Sequence, residues 1–207
     1  MELNKKEEDK KMRIVLSGYE FNKIKEMAKK MDDVELINKP ILRSVNIEIK
    51  NNECKAIVTN GYCMNIRDIE LYGDQEKKED GSYLIPFELI KRVPSAKKKN
   101  IYNYIITVTD EWVTVTHKDN SFGCKLCVGK YPDYLAVLPK EESKLMETSK
   151  IAINIQVISR LLLRGDYAHK LYFYGQTKPI VVRDMQEKLI GIIMPVYISE
   201  WSDDSKE

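Results

Sequence analysis

The chain has 207 residues, with 34 Lys and Arg against 32 Asp and Glu and a formal net charge of +2, so a nucleic-acid role would have to rest on local basic faces. No stretch approaches the roughly 18 apolar residues that cross a bilayer, and the charged opening segment MELNKKEEDKK lacks the apolar core of a secretory signal. A cytoplasmic location is therefore expected, with the four cysteines as free thiols.

One pattern recurs along the chain: an amphipathic helix followed by three short strands. After a charged tail over 1–11, the first copy opens with the strand Arg13–Leu16. Ser17-Gly18-Tyr19-Glu20 has the form of a capping box with Ser17 as N-cap. Phe21, Ile24, Ala28 and Met31 then share one helical face, and Lys23, Lys29 and Lys30 fall on the other side. Strands are expected at 42–50, 55–59 and 64–71, separated by the turn signals Asn51-Asn52 and Asn60-Gly61.

A polar segment over 72–81 leads to the second copy. Its short strand Tyr83–Ile85 precedes a helix that Pro86 can start and Pro94 must stop. Leu89, Ile90 and Val93 form the apolar face; Lys91 and Arg92 form a basic one, which Lys97, Lys98 and Lys99 extend. Strands at 101–109, 112–117 and 122–128 follow, with Asp110-Glu111 as a tight turn. A polar linker over 141–150 precedes the third copy. There Ile151–Ile153 is a strand, Asn154 an N-cap, and 155–164 a helix closed by Gly165. That helix buries Val157, Ile158, Leu161 and Leu162 and carries Arg160 and Arg164 outside. Strands at 170–174, 179–183 and 189–194 complete the copy, and an acidic tail over 199–207, expected to be disordered, ends the chain. The fold class that emerges is α+β, with antiparallel sheets built from repeated helix-plus-three-strand units.

Catalytic constellations are not apparent. There is no Gly-rich phosphate loop and no nucleophile elbow. Cys124 and Cys127 form a lone CxxC, but a structural zinc site needs four ligands, and no second pair has matching spacing. A non-enzymatic protein without cofactor or metal is expected.

Three segments carry a resemblance. Ile57-Val58-Thr59-Asn60-Gly61-Tyr62-Cys63-Met64 is similar to a strand-turn of the bacterial DNA sliding clamp, the beta subunit of DNA polymerase III. Lys130-Tyr131-Pro132-Asp133-Tyr134, with Val137-Leu138-Pro139-Lys140, resembles that family's segment leading out of its middle domain. Lys178-Pro179-Ile180-Val181-Val182-Arg183-Asp184 and Ile192-Ile193-Met194-Pro195-Val196 resemble its closing strands. The resemblance implies the DNA-clamp fold, with 12–140 as a complete middle domain of two units. Residues 151–198 correspond to the second half of the last domain, one unit. The first domain and half of the last are missing on this reading.

The resemblance also implies two sites. One is a hydrophobic groove for partner peptides, formed by Leu42, Thr59, Gly61, Tyr62 and Met64 on one side. Pro132 and Val137 follow, then Asn154, Val157, Pro179, Ile193, Met194, Pro195 and Val196. Strand hydrophobics are core by default, which is the competing reading for Leu42, Met64, Ile193 and Met194. The other site is a set of helix faces that meet duplex DNA through phosphates, without reading its sequence: Lys23, Lys29, Lys30, Lys91, Arg92, Arg160 and Arg164. Ordinary solvated faces are the alternative there. The implied function is a sliding-clamp-like DNA polymerase processivity factor in DNA replication. Its partners would be double-stranded DNA, DNA polymerase and clamp-loader peptides, and further copies of itself in a homo-oligomer, with no membrane. The alternative is a clamp-derived interaction protein or decoy that forms no ring. Departures from the family pattern at Asn60, Cys63, Ala136 and Tyr197 bear on groove preference.

Overall fold

The computed structural model describes residues 12–72, 80–97, 103–139, 151–196 and 198. The tails over 1–11 and 199–207, the linker 141–150, Lys98, Lys99, Tyr197 and most of the 72–81 segment lie outside the described residues. Chain contacts group the molecule into two units, Met1–Asn60 with Ile66–Tyr131, and Gly61–Asn65 with Pro132–Glu207.

The first unit contains β1 (Met12–Leu16), α1 (Gly18–Met31), a 3-10 turn at Val34–Leu36, β2 (Ser44–Lys50), β3 (Glu53–Thr59) and the second half of β4 (Cys63–Asp68). It continues with β5 (Gly81–Pro86), α2 (Phe87–Arg92), β6 (Tyr104–Val108), β7 (Trp112–His117) and β8 (Asn120–Lys125). The strands are ordered β1-β6-β7-β8 and β5-β2-β3-β4, and β1-β6, β6-β7, β7-β8, β2-β3 and β2-β5 pair antiparallel. The strand that precedes each helix thus leaves its own copy of the repeat. β1 pairs with β6, Met12 opposite Val108, and β5 pairs with β2, Ser44 opposite Pro86. Periodicity finds such strands but contains nothing about which sheet they join.

α1 forms where the capping signal places it: Ser17 Oγ accepts from Glu20 N–H at 3.2 Å. The reciprocal arm expected of a capping box is otherwise engaged, because both Glu20 carboxylate oxygens take Lys23 Nζ, at 2.9 and 2.8 Å. Phe21, Ile24, Met27, Ala28 and Met31 are buried along one stripe. Phe21 stacks on Tyr104, and Tyr104 on His117, each pair with ring centroids 4.1 Å apart and nearly parallel. The Asn51-Asn52 hairpin turn has φ of 52° and 66° at its two central residues, the geometry that two-residue hairpins favour and asparagine tolerates. Asp110-Glu111 turns as expected, closed by Thr109 N–H donating to Trp112 O at 2.9 Å.

The second unit holds the first half of β4, α3 (Ile155–Leu161), β9 (Lys170–Tyr172), β10 (Ile180–Arg183) and β11 (Leu189–Ile193), ordered β4-β11-β10-β9 and antiparallel. α3 is shorter than the expected 155–164. Leu162 is already extended (φ −75°, ψ 124°), Leu163 N–H is taken by Asp166 Oδ2 at 2.9 Å, and Gly165 (φ 100°) serves the turn beyond instead of the helix end. A side chain that captures a backbone donor competes directly with the next helical bond. The strand expected at Ile151–Ile153 is reduced to one bridge, Ala152 to Val196. Strand 122–128 is likewise displaced: β8 covers Asn120–Lys125, and Leu126 N–H, donating to Glu111 O at 2.7 Å, carries the β7–β8 pairing one position further.

Candidate functional site

The ladder between β4 and β11 places Cys63 opposite Ile193, Met64 opposite Ile192 and Asn65 opposite Gly191. One position further on, Met194 N–H donates to Tyr62 O at 2.9 Å, so Tyr62 and Met194 continue the pairing. Side chains alternate across a sheet. Tyr62, Met64, Ile192 and Met194 therefore share one face, and β10 adds Val181, which is opposite Ile192. Cys63, Asn65, Gly191 and Ile193 share the other.

α3 covers that second face. A Cβ added at Gly191 would meet Leu161 Cδ1 at 2.9 Å, so glycine is what lets the helix approach. Asn65, fully buried, donates from Nδ2 to Leu161 O at 3.2 Å and to Arg160 O at 3.4 Å, satisfying carbonyls at the helix C-terminus. Asn154 caps the other end, its Oδ1 accepting from Gln156 N–H at 2.9 Å. Cys63 lies under this helix. Burial pushes its thiol up to about 12, with Arg160 opposing the shift.

The first face is different. Met64 and Ile192 are buried, but at the open end of the ladder Tyr62 is 59% exposed and Met194 41%. Val196, two residues beyond Met194, is 45% exposed, and its N–H is held by Ala152 O at 2.9 Å. Ile155, in the first turn of α3, is 77% exposed. Gly61, with φ of 91°, makes the turn that brings the chain from β3 into this ladder; a side chain there would be strained.

Of the expected groove residues, the structure brings Tyr62, Met64 and Met194 onto one face. Pro179 immediately precedes Ile180, whose partner is Ile193, and Pro195 and Val196 extend the ladder beyond Met194. Ile193 and Val157 belong to the α3 side: Ile193 is fully buried on the opposite face and Val157 is buried on the helix. Counting alternation from Met194 would have selected Ile192 and Val181 in place of Ile193. Pro132 and Val137 flank a separate turn, in which Val137 N–H donates to Tyr134 O at 3.3 Å. Ala136 is exposed in that turn. Leu42 is half-buried and Thr59 buried, both in the first unit. Tyr131, beside Pro132 in sequence, is an anchor of that unit: its hydroxyl donates to Ser44 O at 3.3 Å, and burial pushes its pKa well up, against a backbone hydrogen bond from Thr59.

The basic residues are placed less uniformly. On α1, Lys23 pairs with Glu20 at 2.8 Å and Lys30 with Glu26 at 3.5 Å, while Lys29 is exposed. Lys25, not singled out from sequence, gives its ammonium to Val93 O, a carbonyl at the end of α2, and its partial burial lowers its pKa. On α2, Lys91 pairs with Asp32 at 2.5 Å and with Glu88 at 3.1 Å; Arg92 reaches Gly123 O at 3.4 Å. Arg160 is half-buried and Arg164 exposed, both in the second unit. Among the described residues no group of three or more His, Cys, Asp and Glu could hold a metal, and no helix is long and apolar enough to cross a membrane.

Comparison with solved structures finds bacterial sliding clamps. That of Bacillus subtilis superposes with a TM-score of 0.69 at 16% identity, covering 96% of this chain and 67% of that one. The DNA polymerase III subunit beta of Borrelia burgdorferi gives 0.68 at 16%, covering 95% and 67%. The beta subunit from DNA polymerase of Streptococcus pyogenes gives 0.65 at 15%, covering 96% and 68%. Direct comparison with curated proteins returns no match. The family model for the central domain of the DNA polymerase III beta subunit matches residues 22–133, more than half of the chain. This chain, with its sliding-clamp fold, belongs to the DNA polymerase III beta subunit family.

Proposed function

We propose that the protein is a sliding-clamp-like, non-enzymatic processivity factor for a DNA polymerase. On this reading it holds duplex DNA without sequence preference and receives partner peptides, of polymerases and clamp loaders, on the apolar face of the β4–β11 ladder. The observation that carries the peptide site is the exposure of Tyr62 and Met194 side by side, at the open end of a face otherwise made of Met64, Ile192 and Val181. Sites that capture small ligands and peptides are lined mostly by apolar and aromatic side chains, as this face is. Peptide binding at this face is the proposal; the family and fold support it by analogy. Lys29, Arg92, Arg160 and Arg164 are the cations we assign to phosphate contact in the first instance. The working compartment is the cytoplasm, where replication takes place in bacteria.

The test is fluorescence polarisation with a labelled peptide carrying a leading glutamine and a trailing Leu-Phe pair. Burying each of the two apolar side chains contributes roughly 1.5–3 kcal/mol, which supports binding near the micromolar range once ordering costs are subtracted. Met194→Glu puts an unpaired charge on the face and should abolish binding; Lys91→Ala should leave it intact. Equal binding by Met194→Glu, or none by the unsubstituted protein, removes the site.

A second reading is favoured by the ion pairs. Lys23, Lys30 and Lys91 each have a carboxylate partner, as in a protein that binds partner peptides without encircling DNA. The ring version requires self-association, and counting repeats against the family's full ring gives four chains. Light scattering on a concentrated sample separates the two: a strict monomer removes the ring and leaves the interaction protein.

A further inference from the structure

At the end of α1 four charged side chains form one connected cluster. Asp32, the C-cap residue of α1, accepts from Arg43 Nε through Oδ1 at 3.0 Å and from Lys91 Nζ through Oδ2 at 2.5 Å. Glu88, three residues before Lys91 on α2, offers one oxygen to both of the same cations, Arg43 at 2.7 Å and Lys91 at 3.1 Å. Each cation thus contacts two carboxylates, and each carboxylate two cations. Burial opposes ionisation of Asp32, but its hydrogen bonds to Lys91 and Arg43 hold its carboxyl below the usual range. The bond to Asp32 likewise holds Lys91 above the usual lysine value, so both remain ionised.

The geometry matters because of where the acids stand. Two carboxylates bridging a lysine and an arginine offer the oxygens that a phosphodiester would offer. Arg43 is fixed by its main chain, its carbonyl accepting from Phe87 N–H at the start of α2 at 2.8 Å. The cluster is partly exposed, with Glu88 61% and Lys91 33% accessible, so a phosphate can reach it.

We propose that Asp32 and Glu88 act as an internal competitor for phosphate: they occupy Arg43 and Lys91 in the free protein and set the affinity and salt dependence of duplex binding. This rests on the DNA-binding reading above and adds Arg43 to it. The structure assigns to Asp32 and Glu88 an autoinhibitory role, and to Arg43 and Lys91 a contact made only when the acids let go.

The experiment measures binding to a labelled duplex across a salt series for the full chain and four variants: Glu88→Gln, Asp32→Asn/Glu88→Gln, the latter with Lys91→Ala, and a control. The control, Glu35→Gln/Asp119→Asn, removes the same charge from exposed acids outside the cluster. Each phosphate contact adds about 0.9 to the logarithmic salt slope, so two released cations steepen it by about 1.8, roughly a twelvefold greater loss between about 50 and about 200 mM salt. The double variant should bind more tightly at low salt with that steeper slope, Glu88→Gln should lie between it and the starting protein, and adding Lys91→Ala should cancel about half of the added slope. Glu88→Gln changes one exposed oxygen to an amide, so a result from it does not depend on the folding of the double variant. An equal gain in the control overturns the proposal, since net charge alone then explains it. An unchanged slope in the double variant, with duplex binding by the starting protein intact, overturns it while the DNA-binding reading stands. Absence of duplex binding in every version at low salt overturns both.

Discussion

The two units treat the strand before a helix in opposite ways. In the first, β1 and β5 each cross to the sheet of the other repeat, so that two helix-plus-three-strand copies are tied together by exchanged strands. In the second, the segment before α3 makes one bridge, and makes it to the last residues of its own repeat. The helices follow suit. α1 runs for 14 residues and buries seven of them, whereas α3 runs for 7 and buries Val157 and Leu161. Among the described residues, five large apolar or aromatic side chains are exposed in the first unit, Trp112 and Val128 among them, against ten in the second, Tyr62, Met194, Val196 and Ile155 among them. Packing is the more complete where strands are exchanged.

The largest effect should come from the closed unit. Phe21→Ala empties one end of the buried Phe21–Tyr104–His117 stack and should cost about 3–5 kcal/mol in denaturant unfolding. A loss under about 1 kcal/mol would mean that the stack does not carry the packing assigned to it. A smaller effect belongs to the open unit. Asn154→Ala removes the side-chain acceptor at the start of α3 and should cost about 0.5–2 kcal/mol. Because α3 is short, that loss should appear as local opening, with faster amide exchange in residues 156–161 and unchanged exchange in α1. Equal acceleration in both helices would show that the two units do not differ in this way.

Alkaline pH separates the faces of the β4–β11 ladder. The Cys63 thiol is raised by burial to about 12. Its contribution is therefore whole below the unfolded value near 9 and is lost as pH rises through that value toward 12. Cys63→Ala should show a shallower alkaline decline in urea midpoint than the unsubstituted protein, measured between pH of about 8 and about 10.5. Identical declines would place the thiol in contact with water.

The helices were legible because their stripes are regular: Phe21, Ile24, Ala28 and Met31 recur at helical spacing, and Ser17 and Asn154 are good caps with a free side-chain oxygen. The family was legible from three short motifs in chain order. The geometry of the proposed peptide face was legible in part. Met64 and Met194 emerge as apolar strand residues next to turn signals, but the choice between Ile192 and Ile193 turns on register, which a single strand does not encode. The exchange of β1 and β5 was hidden for the same reason, since pairing partners lie far apart in sequence. The pairing of Lys91 with Asp32 was hidden too, because the residues that neutralise a basic helix face need not lie on that helix.

The β1–β6 pairing also bears on how the protein is made. Met12 and Val108 are partners, so β1 must wait for 96 further residues before its strand neighbour exists. At ordinary rates of translation that is roughly 5–20 s, far longer than a hairpin needs to form. During that interval Ile14 and Leu16, both fully buried in the finished protein, have no β6 to pair with. Nascent chains halted before Tyr104 should therefore recruit a holdase that binds short apolar segments, and chains halted well beyond Val108 should not.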